Sequence, residues 1–99
     1  MRPLEHKKRL TLIVPNELRP LIINTLRDCD TRGYTMWSAS GAGTSGIQSG
    51  VFDADSNMVI EVILAEQHLT TVLEHIQALM DGGYRLRALV SDISVLPRK

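Results

Sequence analysis

Apolar and polar side chains follow two different periods along the chain, and together they predict four strands and two helices. Side chains that alternate, or that are mostly β-branched and aromatic, are typical of strands and occur at residues 9–14, 34–39, 58–64 and 84–96. Apolar residues three and four positions apart are typical of amphipathic helices, and they occur between the first two strands and between the last two.

The helix ends are predicted from capping residues. We expect Asn16 to cap the first helix, Pro20 to lie in its first turn and Gly33 to end it. Gly82 and Gly83 are expected to end the second helix, because glycine adopts the left-handed backbone conformation that closes a helix.

The order of elements predicts the fold class. Strand–helix–strand–strand–helix–strand is the βαββαβ order of a ferredoxin-like α+β sandwich, and we expect one domain over residues 1–99. The third strand is predicted to be central, since it is apolar on both faces except at Glu61. Both helices would cover one face of the sheet. Packing against another subunit is favoured on the opposite face, where we expect Thr11, Ile13, Ser38, Arg85 and Arg87.

The segment between the second and third strands is much longer than a hairpin needs. It is rich in glycine, serine and threonine, and we expect a flexible loop at about residues 40–55. Its glycines leave backbone N–H groups open to an anion: Gly41, Gly43, Gly46 and Gly50. Such loops either contact a ligand or partner, which we favour here, or form a solvated tip.

Composition and charge limit the function classes. The 99 residues are 43% hydrophobic, and 11 Lys and Arg balance 11 Asp and Glu, so electrostatics do not favour a nucleic-acid surface. The basic cluster at residues 6–9 is interpreted as a solvated terminus. With a single cysteine, Cys29, in a packed position and no apolar segment for membrane insertion or export, a cytoplasmic protein is expected.

No catalytic or metal-binding motif is recognised. His68 and His75 are interpreted as surface or core histidines of the second helix, and Asp53 and Asp55 as turn formers rather than cation ligands. Residues 41–46 match GxGxxG, but they precede a strand instead of opening a helix, so a dinucleotide-binding fold is not indicated. We therefore expect a protein that is not an enzyme and has no metal.

Phosphate binding is the chemistry that the remaining residues support. Loop amides, the hydroxyls of Thr44, Ser45 and Ser49, and the guanidinium groups of Arg85 and Arg87 together suit a phosphate group. The alternative for the two arginines is a solvated face or a salt bridge between subunits.

Three segments carry a family resemblance: GYT at residues 33–35, SGAGTSGIQSG at residues 40–50 and DSNMVIEVIL at residues 55–64. With the element order and the loop position, they resemble the PII signalling superfamily, in particular the divergent PII-like proteins associated with bicarbonate transport and carboxysomes. The resemblance implies a homotrimer that binds adenine nucleotide between subunits, with a T-loop that touches a target protein, here a bicarbonate transporter or a carboxysome-related protein.

The resemblance also implies which residues bind the nucleotide. Base and ribose would be held by Gly33, Tyr34 and Thr35. The phosphate groups would be held at the base of the loop and in the turn before the last strand, by Gly41, Gly43, Thr44, Ser45, Gly83, Arg85 and Arg87.

Departures from the family pattern modify these expectations. The loop has no tyrosine, so uridylylation is not expected, and it has no basic residue. The turn at residues 81–84 is short and lacks a lysine, which removes contacts to a triphosphate. ADP or AMP is therefore favoured over ATP, with bicarbonate as a further candidate ligand and no cofactor.

Other classes on the same fold stay open as alternatives. A trimeric metal-tolerance protein would need a His, Cys or carboxylate cluster, and a small phosphatase-like enzyme would need a phosphate-cradling loop after the first strand. RNA recognition would need paired aromatic residues on the central strands, and the chain has only 1 Trp, 2 Tyr and 1 Phe.

Overall fold

The computed structural model describes residues 1–40 and 57–98. Its elements follow one another as β1 (Glu5–Pro15), a short 3-10 turn (Asn16–Leu18), α1 (Arg19–Asp28), β2 (Thr35–Ala39), β3 (Asn57–Leu64), α2 (Glu66–Asp81) and β4 (Arg87–Val95). The strands form a sheet in the order β2-β3-β1-β4, with every neighbouring pair antiparallel. The predicted βαββαβ sandwich and the central position of the third strand are confirmed.

The core lies between the two helices and one face of the sheet. Alternation directs Leu10, Leu12 and Val14 of β1 to this face, where none of the three is accessible to solvent. One continuous cluster joins them to the apolar stripes of both helices and to the inward side chains of β3: Ile22, Leu26, Met58, Ile60, Val62, Leu64, Leu69, Val72 and Ile76. The two amphipathic patterns thus meet in one layer.

The start of α1 differs from the prediction. Asn16 does not cap the helix, because it lies inside the 3-10 turn, and Pro15, which precedes that turn, makes no side-chain cap bond. Pro20 does lie in the first turn of α1, where its missing N–H removes no helical hydrogen bond.

The end of α1 also differs, because Asp30 rather than Gly33 takes the left-handed conformation, with φ at 59°. The N–H of Thr31 donates to the carbonyl of Leu26 at 2.8 Å, and that of Asp30 donates to Arg27 at 2.9 Å, which is the Schellman pattern. Aspartate tolerates this conformation better than most residues, so the helix ends without a glycine.

The end of α2 agrees with the prediction. Gly82 is the C-cap, and Gly83 adopts a φ of 103°, which a side chain would strain. The N–H of Tyr84 donates to the carbonyl of Leu79 at 3.1 Å and completes a second Schellman motif. β4 then begins at Arg87, so Arg85 lies outside the strand in which it was predicted.

The sheet face opposite the helices is open. Its register places Trp37 beside Val59, Ile13 and Arg87 in one row, and Thr35 beside Glu61, Thr11 and Leu89 in the next. Trp37 is 44% exposed and Leu89 47%. The mixture expected on this face is thus present.

Ser38 does not contribute to this face, contrary to the prediction. It pairs with Met58, whose side chain belongs to the core, and its hydroxyl donates to the Met58 sulfur at 3.8 Å. The predicted stripe therefore loses Ser38 and gains Trp37.

An ion pair between Lys8 and Asp92 joins β1 to β4. The hydrogen bond with Asp92 raises the pKa of Lys8 and, from the other side, lowers the pKa of Asp92. Since the folded-state pKa of Asp92 is depressed, its share of stability is present above the unfolded pKa and is lost as pH falls through the folded value. Asp92 is well exposed, so this share is small.

No helix in residues 1–40 and 57–98 has the length and apolar character needed to cross a membrane.

A buried hydroxyl holds the connection between α1 and β2. Thr31 is only 6% exposed, and its Oγ1 lies 2.9 Å from Nε2 of His68 on α2 and 3.4 Å from the carbonyl of Cys29. This contact ties the chain just before residue 33 to the second helix.

Replacing this hydroxyl should destabilise the protein measurably. Thr31→Val keeps the shape of the side chain but leaves the His68 nitrogen without its partner, which should cost about 1–3 kcal/mol in the free energy of unfolding. Urea denaturation measures the loss, and Thr70→Val, an exposed threonine on the same helix as His68, serves as the control. Equal stability of the two variants would contradict the role assigned to Thr31.

Candidate functional site

A groove opens where the chain enters β2, on the open side of the sheet. Its volume is about 370 Å³, and it is lined by Gly33, Tyr34, Thr35, Glu61, Ile63 and Arg98. The Schellman end of α1 turns the chain toward this position, and the pairing of Thr35 with Glu61 sets the depth of the wall. Three of the predicted nucleotide-binding residues therefore line one concave surface.

Glu61 gives the groove a carboxylate with a defined position. Its side chain is 28% exposed, and its Oε2 lies 3.8 Å from Nε of Arg9. The same Arg9 nitrogen donates to the hydroxyl of Ser91 at 3.2 Å, so the pair is anchored to β4. A carboxylate held in this way can accept hydrogen bonds from amino or hydroxyl groups of a ligand.

Arg98 brings a cation to the groove from the end of the described chain. After β4 the chain crosses back to β2 and β3, and Arg2 donates from Nε to the carbonyl of Pro97 at 2.9 Å. Sequence reasoning missed both Glu61 and Arg98 as site residues. Glu61 could have been found as the one charge on an otherwise apolar strand, whereas nothing local indicates where Arg98 lies.

Gly33 lines the groove without a conformational need for glycine. A Cβ built on it would meet no atom within 4 Å, and its φ lies outside the left-handed range. A larger side chain at this position would therefore enter the groove without straining the backbone, which makes the residue a useful probe of binding.

The second predicted group of site residues lies at the other edge of the sheet. Gly83 closes α2, Arg85 is exposed in the connection that follows, and Arg87 opens β4 beside Ile13. Three strand spacings separate β2 from β4, which is about 14 Å across the sheet. A single chain does not bring this group to the groove. Arg87 also makes an interaction of its own within the chain.

The third predicted group lies outside the described residues. It comprises the loop positions Gly41, Gly43, Thr44 and Ser45, and the same holds for Asp53 and Asp55 and for nearly all of the loop predicted at about residues 40–55.

The two helix histidines have protein partners. His68 contacts Thr31, and Nδ1 of His75 lies 2.9 Å from the carbonyl of Thr71 one turn earlier. Among residues 1–40 and 57–98 there is no group of three or more His, Cys, Asp or Glu that could hold a metal ion.

Cys29 belongs to the core, as predicted. It is 5% exposed, and burial raises the pKa of its thiol, with smaller contributions from the neighbouring carboxylates of Asp28 and Asp30. A thiol with a raised pKa stays protonated and is a poor nucleophile, so packing is the role that the structure supports.

Several solved structures share this fold. CPII, a nitrogen regulatory PII-like protein from Thiomonas intermedia K12 bound to ADP, AMP and bicarbonate, is 22% identical with a TM-score of 0.78, and the match covers 96% of this chain and 92% of CPII. A protein from Thermus thermophilus assigned as PII-like signalling is 26% identical with a TM-score of 0.76, covering 97% and 94%. A DUF3240 family protein from Shewanella baltica OS155 is 17% identical with a TM-score of 0.69, covering 88% and 89%.

The sequence itself identifies the family. Comparison with curated proteins gives no match. The family model of nitrogen regulatory protein P-II, however, matches residues 7–98, which include both helices, all four strands and the groove. The chain therefore belongs to the nitrogen regulatory protein P-II family.

Proposed function

We propose that this chain is a PII-like sensor that binds an adenine nucleotide, with ADP or AMP favoured, and regulates a partner protein without catalysing a reaction. The observation that carries the proposal is the groove at the start of β2, where the predicted base and ribose contacts of residues 33–35 lie beside Glu61 and Arg98. CPII, which shares the fold, is bound to ADP, AMP and bicarbonate.

The groove offers groups for each part of a nucleotide. The Glu61 carboxylate suits the amino group of adenine or a ribose hydroxyl, and Ile63 supplies apolar surface for the base. Arg98 supplies a guanidinium group for phosphate. We propose that Gly83, Arg85, Arg87 and the loop residues Gly41, Gly43, Thr44 and Ser45 complete the phosphate contacts.

A complete site of this kind requires a second subunit. The groove and Arg85 belong to opposite edges of the sheet in one chain, so the arginine must come from a neighbouring copy. The open face carries exposed apolar side chains, Trp37, Ile63 and Leu89, that another copy would cover. A contact between unlike surfaces repeated around a ring closes an assembly, and we propose a homotrimer of the single domain over residues 1–99.

The proposed signal passes through the segment at residues 41–56. Its target is a protein of inorganic-carbon metabolism, such as a bicarbonate transporter or a carboxysome-related protein, and bicarbonate is a second proposed ligand. Resemblance to the bicarbonate-associated PII-like branch and the bicarbonate bound to CPII support this choice. The proposed location is the cytoplasm, where adenine nucleotides report the energy state.

Mixing two inactive variants should restore binding if the site is shared between subunits. Gly33→Leu fills the groove without straining the backbone, and Arg85→Ala removes an exposed cation without a partner in the described part of the chain. Each should keep wild-type stability and weaken ADP binding by roughly tenfold to a hundredfold. In randomly reassembled trimers, about a quarter of the sites receive both intact halves, so tight binding should return at that level.

Calorimetry after joint refolding measures the restored sites, and light scattering reports the size of the assembly. Each variant refolded alone is the control. A stable monomer, or a mixture with no more tight sites than its components, would exclude a site shared between subunits.

Nucleotide preference is expected to follow the short turn at residues 81–84. Because this turn has no lysine and few amides to hold a third phosphate, ADP or AMP should bind at least as tightly as ATP. Titration calorimetry with the three nucleotides, each with and without bicarbonate, measures the order, and GDP controls for base selectivity. Strong selectivity for ATP would show that the turn has been misinterpreted.

A further inference from the structure

A second groove lies on the helical side of the sheet, between the end of α1 and the start of β2. Its volume is about 170 Å³, and it is lined by Ile23, Arg27, Thr31, Arg32 and Tyr34. Tyr34 also contributes to the groove on the open side, because the chain passes between the two just before β2 begins. The remaining lining residues are different, so the two grooves are separate sites.

The side chains that line this groove donate hydrogen bonds and carry positive charge. Two of the five residues are arginines, Tyr34 contributes a phenol, and none is a carboxylate. The carboxylates of the same segment, Asp28 and Asp30, do not line the groove. Its chemical complement is a group with acceptors and negative charge.

Most of this donor capacity is unused within residues 1–40 and 57–98. Arg27 donates one hydrogen bond from Nη1, to Oδ1 of Asn24 at 3.3 Å, and has further N–H groups available. Arg32 and the Tyr34 hydroxyl have no hydrogen-bond or ion-pair partner in that part of the chain. Arg27 lies in the last turn of α1, where a cation offsets the helix dipole, but Arg32 lies beyond the helix end and has no such role.

The wall between the arginines is held in place. The N–H of Thr31 closes the Schellman motif, and its hydroxyl lies 2.9 Å from Nε2 of His68. Arg27 on the helix and Arg32 in the connection are therefore attached to a backbone that is fixed at both ends. A preorganised pair of planar guanidinium groups is suited to an oxyanion, which each can bind through two N–H groups.

We propose that this groove binds a small oxyanion, with Arg27 and Arg32 as its charged ligands and the Tyr34 hydroxyl as a further donor. A volume of about 170 Å³ accommodates an ion such as phosphate or bicarbonate with some water but is too small for a nucleotide. The site does not depend on the proposed nucleotide site, since no residue except Tyr34 belongs to both.

Amide NMR spectra of the full chain, recorded without nucleotide, test the proposal directly. Potassium phosphate and potassium bicarbonate are titrated separately at constant ionic strength set with potassium chloride. We expect one of the two anions, or both, to produce saturable shifts of the Thr31, Arg32 and Tyr34 amides. Arg27→Gln and Arg32→Gln should each weaken this binding by roughly tenfold or more, because each removes a charged hydrogen-bond donor.

Arg19→Gln is the matched control, since it removes an exposed arginine from the first turn of the same helix and should leave the affinity unchanged. The dispersion of each variant's spectrum shows whether it is folded. Shifts of the Thr31, Arg32 and Tyr34 amides that saturate with neither anion would overturn the proposal. So would shifts confined to residues 83–87, or an unchanged affinity in the Arg27→Gln/Arg32→Gln double variant.

Discussion

The position of β1 between β3 and β4 is the constraint on which the rest of the structure depends. β1 pairs with β3 from Lys8 to Pro15 and with β4 from Glu5 to Ile13, so it sets the register of both. Its inward side chains, Leu10, Leu12 and Val14, are inaccessible to solvent. A slip of one residue would move all three to the open face, so burial of this row determines which side of every strand the helices cover.

The site follows from that register. With Leu12 beside Ile60 inside the core, the neighbouring row must place Glu61 on the open face, where it meets Thr35 and Arg9. The same parity puts Ser38 on the helical side. A charged residue in the middle of an apolar strand is thereby explained: it lies on the face that a ligand and a second subunit can reach.

Helix ends deliver the remaining functional residues. Both helices close with a Schellman motif, one through Asp30 and the other through Gly83, and each motif is followed within a few residues by a segment proposed to bind ligand. Because the two segments lead into β2 and β4, they reach opposite edges of the sheet. One fold therefore presents two half-sites that a single chain cannot join, and this makes the proposed nucleotide site a property of the assembly. The oxyanion groove, by contrast, is formed by one chain around the Asp30 turn.

Local patterns in the sequence determined the two helices, the four strands, their order and the glycine end of α2. These follow from side-chain period and backbone conformational freedom, which act over a few residues. The family resemblance also placed Gly33, Tyr34 and Thr35 on what proved to be one groove.

Only the tertiary structure decided what depends on distant residues. Asn16 and Gly33 were misassigned as helix ends, because a proline-led 3-10 turn and a left-handed aspartate served instead. Glu61 and Arg98 became site residues through pairing across the sheet and through the return of the C-terminal tail, contacts that join residues far apart in the chain.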